Sequence, residues 1–219
     1  KSGNDFVKAV RGGVVDDKDI MQAAKDYVNL KEKMRLEFNK AGGYIPKNDK
    51  YFLPQKHDAK IIANTNKSEW VKFVSDRLDR KEMKNDAGKI MDDSELKESL
   101  EYVYETITTG GLNKAKNDFG PKPLQGKLSR RHSERRFLYF KDAESWIDYQ
   151  NKFGKGDILT TLTDDIQDVA NDIALLSVLG TQPRKMFDNL KAYAQNKTRK
   201  SGKEVKSYKL REAEANYKN

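Results

Sequence analysis

There is no cysteine among the 219 residues, which excludes disulfides, thiolate nucleophiles and thiolate zinc sites. Histidine occurs only twice, so carboxylates are the remaining candidates for catalytic groups. No apolar run approaches the roughly 20 residues of a membrane-spanning helix, and no stretch reads as a signal peptide. Walker-type phosphate loops, a glycine fingerprint after a strand, a nucleophile elbow and an HExxH pair are all missing. No repeat recurs at solenoid periods. An initiator Met is missing too, and the chain begins KSGNDF; we expect a segment of a longer or processed polypeptide. Apolar residues are scarce, 36% against 35% charged. That balance predicts thin cores, although 10% aromatics is too many for wholesale disorder.

What the chain has is concentrated positive charge. The formal net charge is +9. Lys122 to Lys141 and Lys197 to Arg211 each carry seven Lys/Arg and one Glu. The rest of the chain is therefore slightly acidic. Charge gathered in this way favours a defined polyanion or acidic-partner contact over a generally basic surface.

The most apolar stretch is Arg136 to Gly180. Its second half reads as one long helix, with Ile158, Leu162, Ile166, Val169, Ile173 and Leu176 recurring at steps of three and four. Leu159, Ala170, Ala174, Leu175 and Val178 widen the stripe, which suits packing on more than one neighbour. Asp157 is the expected N-cap, and Gly180 followed by Pro183 the stop. Asp164, Asp168 and Asp172 form an acidic row at i, i+4, i+8. It reads as a solvated face or as a docking ridge for a basic segment. Upstream, Phe137 to Phe140 is either a short extended piece or the lead-in to a helix. Asp142 caps the following helix, whose apolar side is Trp146, Ile147, Tyr149 and Phe153.

Elsewhere helices are expected over Asn4 to Val10 and Asp19 to Lys40, the second with Ile20, Ala24, Tyr27, Leu30 or Lys31, Met34 and Phe38 on one face. Pro46 and Pro54 make Tyr44 to Gln55 an aromatic-rich loop. Asp58 caps a short helix through Ile62, and Ser68 opens a helix holding Trp70, Val71, Phe73, Val74 and Leu78. Lys81 to Met91 is ambiguous. Ser94 caps a helix through Thr108, stopped by Gly110 and Gly111, and Asn113 to Ser129 is a long loop. Pro183 starts a helix with Met186, Phe187, Leu190 and Tyr193, and Asn196 to Gly202 reads as a polar break before a weakly anchored tail.

Chemistry-bearing patterns are few. His57 reads as a turn residue satisfying a neighbouring backbone group. Glu98, Glu101 and Glu105 share one helix side, where a solvated face also puts them. The basic segments are the stronger lead. Arg130, Arg131, Arg135 and Arg136 can reach phosphates, with Phe137, Tyr139 and Phe140 either stacking on bases or sitting in the core. Lys197, Arg199, Lys200, Lys203, Lys206, Lys209 and Arg211 form the second cluster. The competing reading pairs the arginines with acidic helix faces at Asp164, Asp165 and Asp168.

Taken together, YFLPQKHDAKI, the Trp70 helix, YETITTGGL, RRFLYFKDAESWIDYQNKFGKGD and DDIQDVANDIALLSVLG followed by Pro183 resemble a recurrent segment of large tailed-bacteriophage proteins. There an extended RFLxFKDA block leads into a helix ending at an FG turn, and then into a long helix ending in Leu-Gly. The parents are similar to the very long internal virion proteins that phages carry in the capsid and eject with their DNA. The resemblance runs from about Tyr44 to Pro183 and implies a virion context, in the capsid interior or portal region, with the host envelope or periplasm as the destination after ejection. It transfers no functional residues, and nothing in the segment resembles a transglycosylase site. A protein threaded through a portal must unfold readily, and a thin core without disulfides lowers resistance to unfolding.

The expectations are therefore an all-α, elongated helical array or bundle with long loops and little or no strand, the Asp157–Leu179 helix central. Residues 1–120 form an N-terminal helical region, 121–195 a central one and 196–219 a basic tail. The expected function is a structural segment of an ejection protein, without catalysis or cofactor in this segment. It contacts other virion proteins, copies of itself and phage DNA, and takes no small-molecule substrate. A cytosolic nucleic-acid-binding helical adaptor and a non-catalytic fragment of a larger enzyme are the alternatives. The tail, Asn196 to Asn219, is expected to be a continuing helix that packs on another copy, another protein or DNA.

Overall fold

Asp or Asn opens helix after helix in this chain, and those caps set the boundaries that its scarce apolar residues leave loose. In the computed structural model the described residues are 2–47, 53–85, 87–113 and 138–201, with backbone alone at 183–184 and 196–201. They form eight helices: α1 (Ser2–Val10), α2 (Lys18–Lys40), α3 (Ala59–Ala63), α4 (Lys67–Ser75), α5 (Asp93–Thr108), α6 (Ala143–Phe153), α7 (Ile158–Leu179) and α8 (Pro183–Ser201). Asp17, Asp58, Asn66, Asp92, Asp142 and Asp157 each accept a backbone N–H of the following turn, the acceptor geometry that stabilises a helix start. The described residues contain no strand, only three isolated bridges, so the all-α expectation holds.

Two caps differ from the sequence reading. Asn66, not Ser68, opens α4. Asp92, not Ser94, opens α5, because its carboxylate and Glu95 three residues on complete a capping box. A third difference lies at the C-terminal end. The expected polar break from Asn196 is helical through Ser201; Lys, Arg and Gln are good helix formers, and polarity is not a stop signal.

The core centres on α6 rather than on α7, which corrects the expectation for the long helix. Ala143, Ser145, Trp146, Ile147, Tyr149, Gln150 and Phe153 are all buried, so α6 is enclosed on most of its circumference. Its neighbours in the main apolar cluster include Val7 and Val10 of α1, Tyr27 of α2, Trp70 and Val74 of α4, and Leu96 and Leu100 of α5. The cluster thus draws together side chains from position 7 to position 162.

Short extended stretches brace α6 at both ends. Leu138 to Phe140 is extended, with Asp79 N–H donating to the Tyr139 carbonyl at 2.7 Å and Lys141 N–H to the Arg77 carbonyl at 2.9 Å. Beyond α6, Asp58 N–H donates to the Phe153 carbonyl at 2.8 Å and Lys155 N–H to the Lys56 carbonyl at 2.9 Å. The proline-containing loop is thereby tied to the α6–α7 turn. Buried Trp146 adds a third brace, its indole N–H donating to the Pro54 carbonyl at 3.3 Å.

α7 buries a seam narrower than the sequence suggested. Ile158, Leu162, Val169 and Leu176 are buried, along with Thr161, Asp165 and Asp172. Leu159 and Val178 are 58% and 75% exposed, and Ala170 and Ala174 are exposed as well. α2 lies alongside and runs in the same direction. Lys31 pairs with Asp165, and a methyl group added at Gly42 near the end of α2 would sit 3.1 Å from Thr181 beyond the end of α7.

Candidate interaction surfaces

Most of the residues singled out for nucleic-acid or partner contact fall outside the described structure. Arg130, Arg131, Arg135 and Arg136 lie in 114–137, and Lys203, Lys206, Lys209 and Arg211 in 202–219. Lys197, Arg199 and Lys200 stand on the last turns of α8, where the backbone is described. Most of the tail expected to pack on a partner lies outside the described residues.

The acidic row of α7 is not one surface. Asp164 and Asp168 stay more than half exposed and share Lys56, whose ammonium lies 3.4 and 3.1 Å from their carboxylates. Partial burial pulls the Lys56 amine down, but hydrogen bonds and charge from Asp168 and Asp164 outweigh it and hold it above its usual range. Asp172 is 1% exposed and belongs to the buried seam. Successive i+4 steps rotate about 40° around a helix, so two of them carry Asp172 roughly 80° from Asp164. Among the described residues, the basic group docked on the ridge is Lys56, from the loop before α3.

The polar groups inside the core hold segments together. Tyr149, 2% exposed, shares a 2.8 Å hydrogen bond between its hydroxyl and Nδ1 of His57, donor and acceptor depending on the imidazole tautomer. Through this bond His57 joins the loop to α6, a contact that the reading of it as a turn residue did not include. Gln150 donates to the Thr161 hydroxyl at 2.9 Å, which donates to the Lys155 carbonyl at 3.1 Å, locking the turn between α6 and α7. Among the described residues, no group of three His, Asp or Glu is placed to hold a metal ion, and no helix is long and apolar enough to cross a membrane.

Two exposed strips stand out against this inward use of side chains. On α8, which packs on α7, Met186, Leu190 and Tyr193 are 41%, 51% and 66% exposed. On and just after α5, Tyr102 and Leu112 are 41% and 70% exposed, beside exposed Glu98 and Glu105. Sequence reading named Met186, Leu190 and Tyr193 as an apolar side and Glu98 and Glu105 as a charged one. What it missed is that, among the described residues, the former stays largely exposed, and that Tyr102 and Leu112 lie open beside the latter. Periodicity shows which residues share a face but not whether the face has a neighbour.

Comparison with known proteins finds no matching family model, curated protein or solved structure.

Proposed function

We propose that this chain is a structural, non-enzymatic segment of an internal virion protein of a tailed bacteriophage, one that is ejected with the DNA. It assembles near the portal and contacts DNA, other virion proteins and neighbouring copies. The observation that carries the structural reading is the division between core and α8. Buried Trp146, Tyr149, Gln150 and Asp165 use their polar groups to hold segments of the core together, while Met186, Leu190 and Tyr193 of α8 are exposed. The resemblance of the segments from Tyr44 to Pro183 supplies the virion context.

The test is the content of purified particles. Peptides of this chain should be found by mass spectrometry in DNA-filled particles and be depleted from particles that have ejected their DNA. Their absence from filled particles sinks the proposal and leaves the nucleic-acid adaptor or the enzyme fragment. The DNA contact has its own measurement. Retention of duplex DNA should fall steeply with salt, and changing Arg130, Arg131, Arg135 and Arg136 to Ala should reduce the log K against log[salt] slope by roughly 3 to 4 if all four meet phosphates. An unchanged slope assigns the cluster to protein contacts instead.

A further inference from the structure

We infer that the distal half of the α2–α7 seam is an arm that opens and recloses as a unit while the main core stays folded, and that the Lys31–Asp165 pair is where this opening stops. Along α2 the inward positions are Ala24, Tyr27, Lys31, Met34 and Phe38, at steps of three and four. Along α7 they are Ile158, Leu162, Asp165, Val169, Asp172 and Leu176, at the same steps. Such steps mark the seam of a two-helix coil, and the two helices run in the same direction. The charged pair therefore fills a layer of the seam itself, not its margin. That layer separates two kinds of neighbour. Ala24, Tyr27, Ile158 and Leu162, before it, belong to the main apolar cluster. Met34, Phe38, Val169 and Leu176, after it, are also buried, but none of them is part of that cluster. Among the described residues, these four are the buried apolar side chains of the distal half of the seam.

The distal half also carries contacts of its own. Arg35 and Asn39 donate to the Ile45 carbonyl at 3.1 and 3.0 Å, and Ile45 N–H donates back to the Asn39 carbonyl oxygen at 2.6 Å, so the segment after α2 folds onto α2. The Phe38 ring closes on Gly43 and leaves no room there for a Cβ, and Gly42 approaches Thr181 just past α7. Lys56 of the loop before α3 crosses the charged layer, meeting Asp164 on one side and Asp168 on the other. Both carboxylates are more than half exposed, and exposed pairs of this kind hold little. Water decides where opening halts. Opening through an apolar seam exposes more apolar surface at every layer and has no preferred stopping point. At Lys31–Asp165 the balance changes, because water that reaches the pair returns the cost of having desolvated it. The next residues inward, Tyr27 and Leu162, belong to the main cluster, and exposing them starts to dismantle the core. The charged layer thus bounds a local unit with a stability of its own.

The test is native-state hydrogen exchange of the full chain, read by mass spectrometry and corrected for intrinsic exchange rates. Amides of 34–40 and 169–179 should exchange roughly tenfold faster or more than those of α6. Two helix ends fraying separately would give the same difference, so coupling between the helices is the deciding readout. Val169→Ala, a change on α7, should speed exchange in 34–40 of α2 as well as in 169–179, by roughly tenfold in both, with α6 unchanged. Lys31→Met/Asp165→Leu makes the seam continuous and should bring exchange in the two distal segments roughly fivefold or more closer to that of α6. Equal exchange of the distal segments and α6 in the native chain overturns the inference. So does a response to Val169→Ala that stays on α7 or spreads to α6. A double variant that leaves the difference unchanged removes the pair as the stopping point. One that fails to fold does so too, since an apolar layer should join the two halves of the seam.

Discussion

The pair Lys31–Asp165 gives the sharpest test of how α2 and α7 are held together. The side chains are 15% and 10% exposed, so neither charge is well solvated once its partner is gone. Replacing Lys31 by Met keeps the stem and removes the ammonium, leaving Asp165 in the seam between Leu162 and Val169. Breaking a fully buried pair costs about 3–5 kcal/mol; residual water access here lowers the expected loss to about 2–3 kcal/mol. For a chain of this size each kcal/mol moves the midpoint by about 2–4 °C, so Lys31→Met should melt roughly 4–12 °C lower. Asp165→Leu should cost a similar amount, by stranding the lysine. The double variant Lys31→Met/Asp165→Leu should return to within about 1 kcal/mol of the native chain, because burying two apolar groups avoids both desolvation penalties. Urea unfolding followed by circular dichroism measures all four corners of the cycle. If Lys31→Met costs less than about 0.5 kcal/mol, or the double variant loses the sum of the singles, the pair does not couple the two helices and the reasoning fails.

Three further outcomes follow from the same contacts. Slight burial pushes the Asp142 carboxyl up, but hydrogen bonds from the Ser145 hydroxyl and backbone N–H outweigh it and, with Lys141 and Arg11 nearby, hold it below the usual carboxylate range. Its contribution is therefore present above the unfolded value of about 3.9 and lost as pH falls through the lower folded value, and Asp142→Asn should flatten the acid limb of a stability–pH curve measured by urea unfolding. Gly154→Ala places a methyl group on the carboxamide of buried Gln150; the expected cost is about 1–3 kcal/mol, visible as a lower thermal midpoint, and a neutral result means the α6–α7 turn is not packed as described. Trp70 is fully buried and its indole N–H has no hydrogen-bond partner among the described residues, so Trp70→Phe discards an unsatisfied donor along with some packing. Its loss in urea unfolding should fall well below the roughly 3–5 kcal/mol expected of Trp70→Ala.

Local chemistry made much of this fold readable before any coordinates. Asp58, Asp142 and Asp157 announce helix starts because a carboxylate before an apolar-periodic run has an orphan N–H to accept. Gly180, at φ 71°, announces a stop because that backbone conformation suits glycine. The errors share one physical source, which is that sequence period does not encode neighbours. Asp92, Asp93 and Ser94 are all competent caps, and the choice fell to Asp92 because only it stands three residues before Glu95. Leu30 and Lys31 were equal candidates for the inner face of α2. Lys31 is turned inward by the buried carboxylate of Asp165, which lies 134 positions away. The breadth of the α7 stripe was overestimated because Leu159, Ala170, Ala174 and Val178 fit a helix face whether or not another helix lies over it. The basic clusters, visible at once as composition, fall mostly in 114–137 and 202–219, outside the described residues.

A chain this poor in apolar residues is held together by connections that span its length. Arg11 donates to the Phe140 carbonyl at 2.8 Å, Lys8 meets Glu144 at 3.1 Å, and Lys31 reaches Asp165, so α1 and α2 are fastened to segments well over 100 positions away. None of these links survives alone, because each needs the loop, turn or helix that presents its partner; the first two end on or just before α6 and the third on α7. α1 packs on both α2 and α6, so loss of α6 releases α1 and the loop before α3 and loosens α2 through α1, and the core should open as one cooperative unit. α8 stands outside that arrangement. It packs on α7, and its apolar side contributes exposed rather than buried area. A partner that covers Met186, Leu190 and Tyr193 gains the burial the fold leaves unused, and a partner that leaves returns it, without any core contact being remade. Distant sites with no shared contacts add independently. Substitutions on α8 should therefore read out in association, and substitutions around α6 in stability.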